Sequence, residues 1–263
     1  MAPSVPPDPP TVGYQSWQKL AFIHWRVSAE DLQPLIPRGL TIEQFDGSAW
    51  LGVVPFSMER VRPWWSPPVP GISWFLETNV RTYVVDEHGV SGVWFFSLDA
   101  NKRLAVSVAR TFWHLPYKLA TMALETSQPD SESLNKSTVS YTGVRRDHPP
   151  ADYQIKLTLD ESAPRPAVTG TLDHLLIERY LLFAQRRNGT LMTGRVHHAP
   201  YKIQPVVQCD ITQTLTAAIG CPISADRAPD HVVFSPGVDV RVSPLRRHDP
   251  IRGSFVYTLR GEN

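Results

Sequence analysis

The sequence predicts a mainly β protein, α+β in detail, with few and short helices. Three observations lead there. Prolines number 25 in 263 residues, against an average usage of about 5%, and their scatter cuts helices short. The longer apolar runs mix β-branched and aromatic residues, the composition that packs on a pleated sheet. Turn residues such as Asn188-Gly189 and Pro236-Gly237 sit between those runs,.

Residues 1–14 open with MAPSVPPDPP, five prolines and no positive charge or apolar stretch, and read as a disordered tail rather than a signal peptide. Residues 15–263 read as one domain. Leu20 to Val27 is a strand, and Ser28-Ala29-Glu30-Asp31 caps a short helix that stops near Pro37. A strand at Ala49 to Phe56, the Pro/Trp loop Val61 to Gly71, and a strand at Trp74 to Val85 follow. Gly89 turns the chain into a strand at Gly92 to Ala100, and Asn101-Lys102 turns it into another at Leu104 to Trp113, making an antiparallel meander. Glu125 to Ser137 is polar and reads as a long loop inside the domain. Asp173 caps a short helix to Glu178, and Asn188-Gly189 suits a two-residue type I′ hairpin between Arg179 and His198. Thr212 to Gly220 fits a helix ended by glycine. Pro236-Gly237 separates VVFS from VDVRVSPL as the turn of a last hairpin.

Charge and cysteine content limit the function. With 26 Lys+Arg against 25 Asp+Glu, no strong field steers the chain onto nucleic acid or an anionic membrane, and neither partner is expected. No run of about 18 apolar residues is present to span a bilayer. Cys209 and Cys221 cannot form the framework that small secreted domains use, so two reduced thiols in a cytoplasmic protein are expected.

Chemistry concentrates on the strand Trp74 to Val85. Period-two alternation puts Phe75, Glu77, Asn79, Arg81 and Tyr83 on one face and Leu76, Thr78, Val80, Thr82 and Val84 on the other. The first face carries a carboxylate, an amide, a guanidinium and a phenol in one row, which suits a polar ligand pocket. A solvated outer face accounts for the row equally well. Glu77 and Arg81 lie about 13 Å apart along the strand, too far to pair, so both are open to other partners. Arg110 ends an otherwise small and apolar segment, either as a charge reaching solvent or as a pocket group. Tyr117 and Lys118 follow Pro116; a buried lysine there would be a carbonyl nucleophile, whereas a surface lysine is commoner. His197 and His198, adjacent in a strand, point to opposite faces and cannot share a metal. No metal-ligand spacing, phosphate loop, dinucleotide fingerprint or nucleophile elbow is present, so neither metal nor cofactor is expected. The pairs Arg145-Arg146, Arg186-Arg187 and Arg246-Arg247 read as solvated strand ends. Trp64 and Trp65 suit a lid over a pocket or a subunit interface in a homo-oligomer.

Several segments together carry a family resemblance. FIHWRVSAEDLQPLIPRGLTI, the FLE that ends at Glu77, LDANKRLAVSVAR and LPYKLA resemble the acetoacetate decarboxylase superfamily in order and approximate spacing. PRGL, FDG with AW, VPF, NVRTYV and FFSLDA are most similar to its uncharacterised YqjF-like branch. The similarity covers residues 17 to 120 well and later segments less specifically. It implies a cone-shaped, mostly antiparallel β-barrel whose interior holds the ligand, and a pocket glutamate at Glu77. In the decarboxylases two adjacent lysines follow the proline that matches Pro116, and the first, its pKa lowered by an apolar, cationic setting, forms a Schiff base. Here that position is Tyr117, and only the second lysine is kept, as Lys118. The pocket arginine that the decarboxylases carry before the first strand has no counterpart, since Gln18 and Lys19 occupy that region.

A phenol forms no imine, so acetoacetate decarboxylation by the family's route is not expected. Three readings stand. In the first, an internal pocket binds a small acidic or carbonyl-containing metabolite and turns it over without an imine. Glu77 is then its acid or base, Tyr117 the donor to an oxyanion, Arg81 or Arg110 the carboxylate holder, and Asn79 and Tyr83 the lining. In the second, the barrel binds such a molecule without chemistry. In the third, Lys118 itself serves as the amine of a lyase or aldolase.

Overall fold

The computed structural model describes residues 10–127, 136–224 and 227–248. In chain order the elements are β1 (Gly13–Val27), α1 (Ala29–Leu32), β2 (Leu40–Ile42), β3 (Ala49–Pro63), β4 (Phe75–Asp86), β5 (Ser91–Ala100) and α2 (Arg103–Phe112). They continue with β6 (Tyr117–Ser127), β7 (Thr138–Arg145), β8 (Asp152–Leu159), β9 (Arg165–Pro166), α3 (Leu172–Ile177), β10 (Leu181–Gln185), β11 (Leu191–His198), β12 (Lys202–Gln213), β13 (His231–Val242) and β14 (Arg246–Arg247). No helix among the described residues is long and apolar enough to cross a membrane. β1 begins at Gly13, inside the stretch expected to be a tail; residues 1–9 of that expectation lie outside the described residues, as do 128–135 of the expected loop at 125–137.

The strands hydrogen-bond in the order β14, β11, β10, β5, β6, β7, β8, β12, β13, β1, β3, β4, β2, and β4 also pairs with β5 and β11 with β13. The pairing path therefore returns on itself through the β4–β5 ladder. Most ladders are antiparallel; β5–β6 and β10–β5 are parallel.

Alternation along the central strands builds two apolar clusters, one on each face. Leu20 and Phe22 of β1, Trp50, Val54 and Phe56 of β3, and Phe75 and Tyr83 of β4 enter the first. Their neighbours Ala21, Ile23, Leu51, Val53, Val80 and Val84 enter the second, where β7 and β8 add Val139, Tyr141, Ile155 and Leu157. With both faces covered, the polar row on β4 is not solvated: Glu77, Asn79 and Arg81 are all buried.

Five local expectations need correction. The segment 104–113 is helix α2, not a strand. β6 runs parallel to β5, and a parallel neighbour requires a crossover that carries the chain back along the sheet; a single helix does this. The hairpin at 185–191 is present, but its loop is longer than the two-residue type: Arg186 pairs with Thr190, Gly189 N–H bonds to Arg186 O, and only Gly189 is left-handed at φ 83°. This is the three-residue connection of a type I turn followed by a left-handed residue. β13 runs unbroken through Pro236-Gly237 instead of turning there. Opposite them Lys19 is left-handed at φ 52°, and the β1–β13 register passes from Gln18↔Gly237 to Leu20↔Ser235, so Pro236 faces an irregular residue and no ladder donor is missed. Finally, α3 is capped by Thr171, whose hydroxyl accepts from His174 N–H, with Asp173 in the first turn; and between Thr212 and Gly220 only Ala217–Ile219 forms a 3-10 turn, because β12 extends to Gln213. The Ser28 cap of α1 is as expected, with Ser28 Oγ accepting from Glu30 N–H at 3.1 Å.

Candidate functional site

A cavity of about 780 Å³ lies on the first-cluster face of β4. Phe75, Glu77, Asn79 and Arg81 line it in register, as the period-two reading requires. Across from them α2 presents Leu104, Ala105, Val108, Ala109 and Phe112, spaced at i, i+1, i+4, i+5 and i+8 and so on one helical face. Phe22, Phe56, Phe95, Leu98 and Tyr117 complete much of an apolar wall. The polar groups are few, as in most small-molecule sites.

At one end of the row Glu77 Oε2 accepts the Tyr117 hydroxyl at 2.7 Å, and the Asn79 amide also hydrogen-bonds to the carboxylate. Burial dominates nonetheless and raises Glu77 from 4.5 to about 7, with the Asp99 carboxylate adding to the rise. Asp99 lies on the far side of the sheet, ion-paired at 2.9 Å with Arg145, both side chains almost fully enclosed. Burial, and then the charge of Glu77, push the Tyr117 phenol well above its ordinary range, so Tyr117 is a neutral donor. Asn79 Oδ1 is buried without a hydrogen-bond partner.

At the other end Arg81 Nη2 donates to Leu176 O at 3.0 Å and to the Tyr83 hydroxyl at 3.3 Å. Its Nε is buried and unbonded, and no carboxylate among the described residues lies within ion-pair distance. Arg179, which enters the cavity wall from the α3–β10 connection, pairs with Glu43 at 3.1 Å, yet its Nη2 is likewise unbonded. Both guanidinium carbons sit over the Tyr83 ring, at 5.6 and 5.2 Å from its centroid. Behind them Tyr83 donates to Leu176 O at 2.6 Å, so His24 Nε2, 2.8 Å from the phenol, is the donor to it. His24 Nδ1 then accepts from His231 Nδ1 at 3.0 Å, and His231 Nε2 meets Asp173 Oδ1 at 2.9 Å. Burial, with His231 and Arg81 nearby, holds His24 well below its usual range, which keeps a further cation away from Arg81.

The structure thus brings Glu77, Asn79, Arg81 and Tyr117 to one cavity, with Tyr83 directly behind Arg81. It does not bring in Lys118 or Arg110. Lys118 follows Tyr117 in β6, so alternation turns it outward, where Nζ donates to His148 O at 2.9 Å. Arg110, in the last turn of α2, donates to the Tyr117 carbonyl at 2.8 Å and pairs with Asp147 outside the cavity. Contrary to the expectation, neither residue lines the pocket. Arg179, His24 and His231 are functional candidates that sequence reasoning missed. His24 stands as a polar residue inside an apolar strand, but its partner lies 207 positions away, and nothing local points to Arg179.

The model of DUF2071, an uncharacterized conserved protein family, matches residues 14–239. The chain belongs to the DUF2071 family. The protein is 34% identical over 241 residues to the uncharacterized protein YqjF of Bacillus subtilis (strain 168), covering 92% of this chain and 94% of that one. Among solved structures, the DUF2071 fold is similar to an acetoacetate decarboxylase-like enzyme from Sphingomonas wittichii RW1, with TM-score 0.64 and 15% identity over 91% of this chain and 94% of the other. It is also similar to acetoacetate decarboxylase from Legionella pneumophila, with TM-score 0.63 and 12% identity over 94% and 92% of the two chains. At such identities the likeness is one of fold.

Proposed function

We propose that this DUF2071 protein binds an acidic, carbonyl-containing metabolite inside a cone-shaped β-barrel and exchanges a proton with it at Glu77, without an imine. The observation that carries this reading is Arg81: a buried guanidinium in a cavity wall, with no carboxylate partner and an unbonded Nε. Burying an unpaired charge is costly, and a ligand carboxylate would neutralise it with charge-assisted hydrogen bonds. The returning strand path and the acetoacetate decarboxylase-like fold neighbours support the barrel.

Glu77, raised to about 7, suits acid or base work near neutral pH, where a matched pKa maximises proton transfer. As a base it takes the proton from the carbon next to the carbonyl, and the Tyr117 hydroxyl donates to the oxygen that becomes the enolate. Tyr117 excludes a Schiff base at its own position, and Lys118 faces away from the cavity. The same two facts favour a second reading, a barrel that binds the acid without chemistry.

Deuterium exchange separates the two. Incubation in D₂O with pyruvate, acetoacetate, levulinate and 9-oxodecanoate, followed by NMR of the C–H signals, is expected to show exchange with at least one of these acids, which Glu77→Gln slows by at least about 100-fold. A thermal shift with these acids and no exchange above buffer would leave binding alone.

A further inference from the structure

The proposed site has a length as well as a chemistry. β4 lies along the cavity, and its two polar ends face different surroundings. Glu77 pairs with Ala100 at the end of β5, three residues before α2 begins, and Phe75 follows the loop that carries Trp65 and Ile72. Leu104, Val108, Phe112, Trp65 and Ile72 line the cavity and are also substantially exposed, so this apolar rim is the mouth. Arg81 lies four residues further in. Its guanidinium points onward to Tyr83 and Leu176 O, where Arg179 joins it.

Four strand residues span about 13 Å. After about 3 Å of hydrogen-bond contact at each end, roughly 7 Å remains between a carboxyl carbon at Arg81 and a reacting carbon at Glu77. In a 3-oxo acid the carbon that gives up the proton is one or three bonds from the carboxyl carbon, at most about 4 Å with bonds of about 1.5 Å. A molecule of that size cannot touch both ends. The volume points the same way, since about 780 Å³ matches sites for ligands of drug size.

We infer that the ligand is an elongated amphipathic acid: its carboxylate seats between Arg81 and Arg179, an apolar chain of about six or more bonds passes Asn79, and its carbonyl lies at Glu77 and Tyr117. The unpartnered, buried Asn79 Oδ1 sits midway, where it accepts from a hydroxyl or amide on that chain. The inference rests on the acid-binding reading above and adds the position of the carbonyl and the apolar body.

Calorimetric titration of the full chain with butanoate, hexanoate, octanoate, decanoate and decanamide tests it. Each added methylene buried in the lane is expected to tighten binding roughly fourfold, so that decanoate exceeds butanoate by at least about 100-fold. Arg81→Gln is expected to weaken decanoate at least tenfold and leave decanamide unchanged. Ala109→Phe, which narrows the lane from α2, is expected to flatten the chain-length dependence, and it keeps the test open if Arg81→Gln does not fold. Butanoate and decanoate binding within about threefold of each other, both lost in Arg81→Gln, would overturn the elongated ligand and leave the acid site standing. Decanamide binding as tightly as decanoate, indifferent to Arg81→Gln, would overturn the acid site itself. No binding of any acid would overturn both.

Discussion

Glu77→Gln replaces a titratable group by one of nearly the same shape that still accepts from Tyr117. In the folded protein Glu77 holds its proton up to about pH 7, against 4.5 for the free side chain. Its raised pKa means that its contribution is fully favourable below pH 4.5 and is lost as pH rises through 7, because the unfolded chain then ionises more readily. Integrating that difference, each tenfold step being about 1.4 kcal/mol, gives a loss of about 2.5 kcal/mol of stability between pH 5 and pH 8. Glu77→Gln abolishes this slope and leaves every other titration in place, including that of His24. Urea unfolding of both proteins at pH 5, 6, 7 and 8, followed by tryptophan fluorescence, reads it directly. The stability of the variant relative to the wild type is expected to rise by about 2.5 kcal/mol across the series. A difference constant to within about 0.5 kcal/mol would refute the reasoning, since Glu77 would then titrate as an ordinary carboxylate.

Tyr117→Phe removes the hydrogen bond that holds Glu77 down, so the steep part of the same pH series is expected to move above pH 7. Arg145→Met leaves Asp99 buried without its partner and is expected to cost about 3 to 5 kcal/mol by urea unfolding, most of it recovered when Asp99→Leu is added. Gly237→Ala places a Cβ 2.4 Å from the Trp17 carbonyl at φ 148°; the backbone on both strands must shift, and a loss of more than about 2 kcal/mol is expected in thermal unfolding.

The site row was legible because it lies on one strand. Alternation alone assigns Glu77, Asn79 and Arg81 to a common face, and the same rule, applied to β6, separates Tyr117 from Lys118. Whether that face was wet or buried was not legible, because it depends on α2 and on Phe22 and Phe56 from other strands. α2 misreads as a strand because Val106, Val108, Phe112 and Trp113 favour sheets locally, while the parallel pairing of β6 with β5 demands a helix. The four-residue spacing of Leu104, Val108 and Phe112 was the available clue. Pro236-Gly237 reads as a turn on local chemistry, yet the irregularity at Lys19, more than two hundred positions away, absorbs it. Arg179 and the His24–His231 pair join the site only through tertiary contacts, and no spacing in the chain announces them.

The proposed proton chemistry at Glu77 uses no covalent amine. Incubating the protein with pyruvate, acetoacetate, levulinate and a panel of aldehydes, reducing with borohydride and reading the intact mass beside Lys118→Ala tests it most directly. An unchanged mass is expected in both proteins. A reduced adduct on the wild type that disappears in Lys118→Ala would contradict it and assign imine chemistry to Lys118.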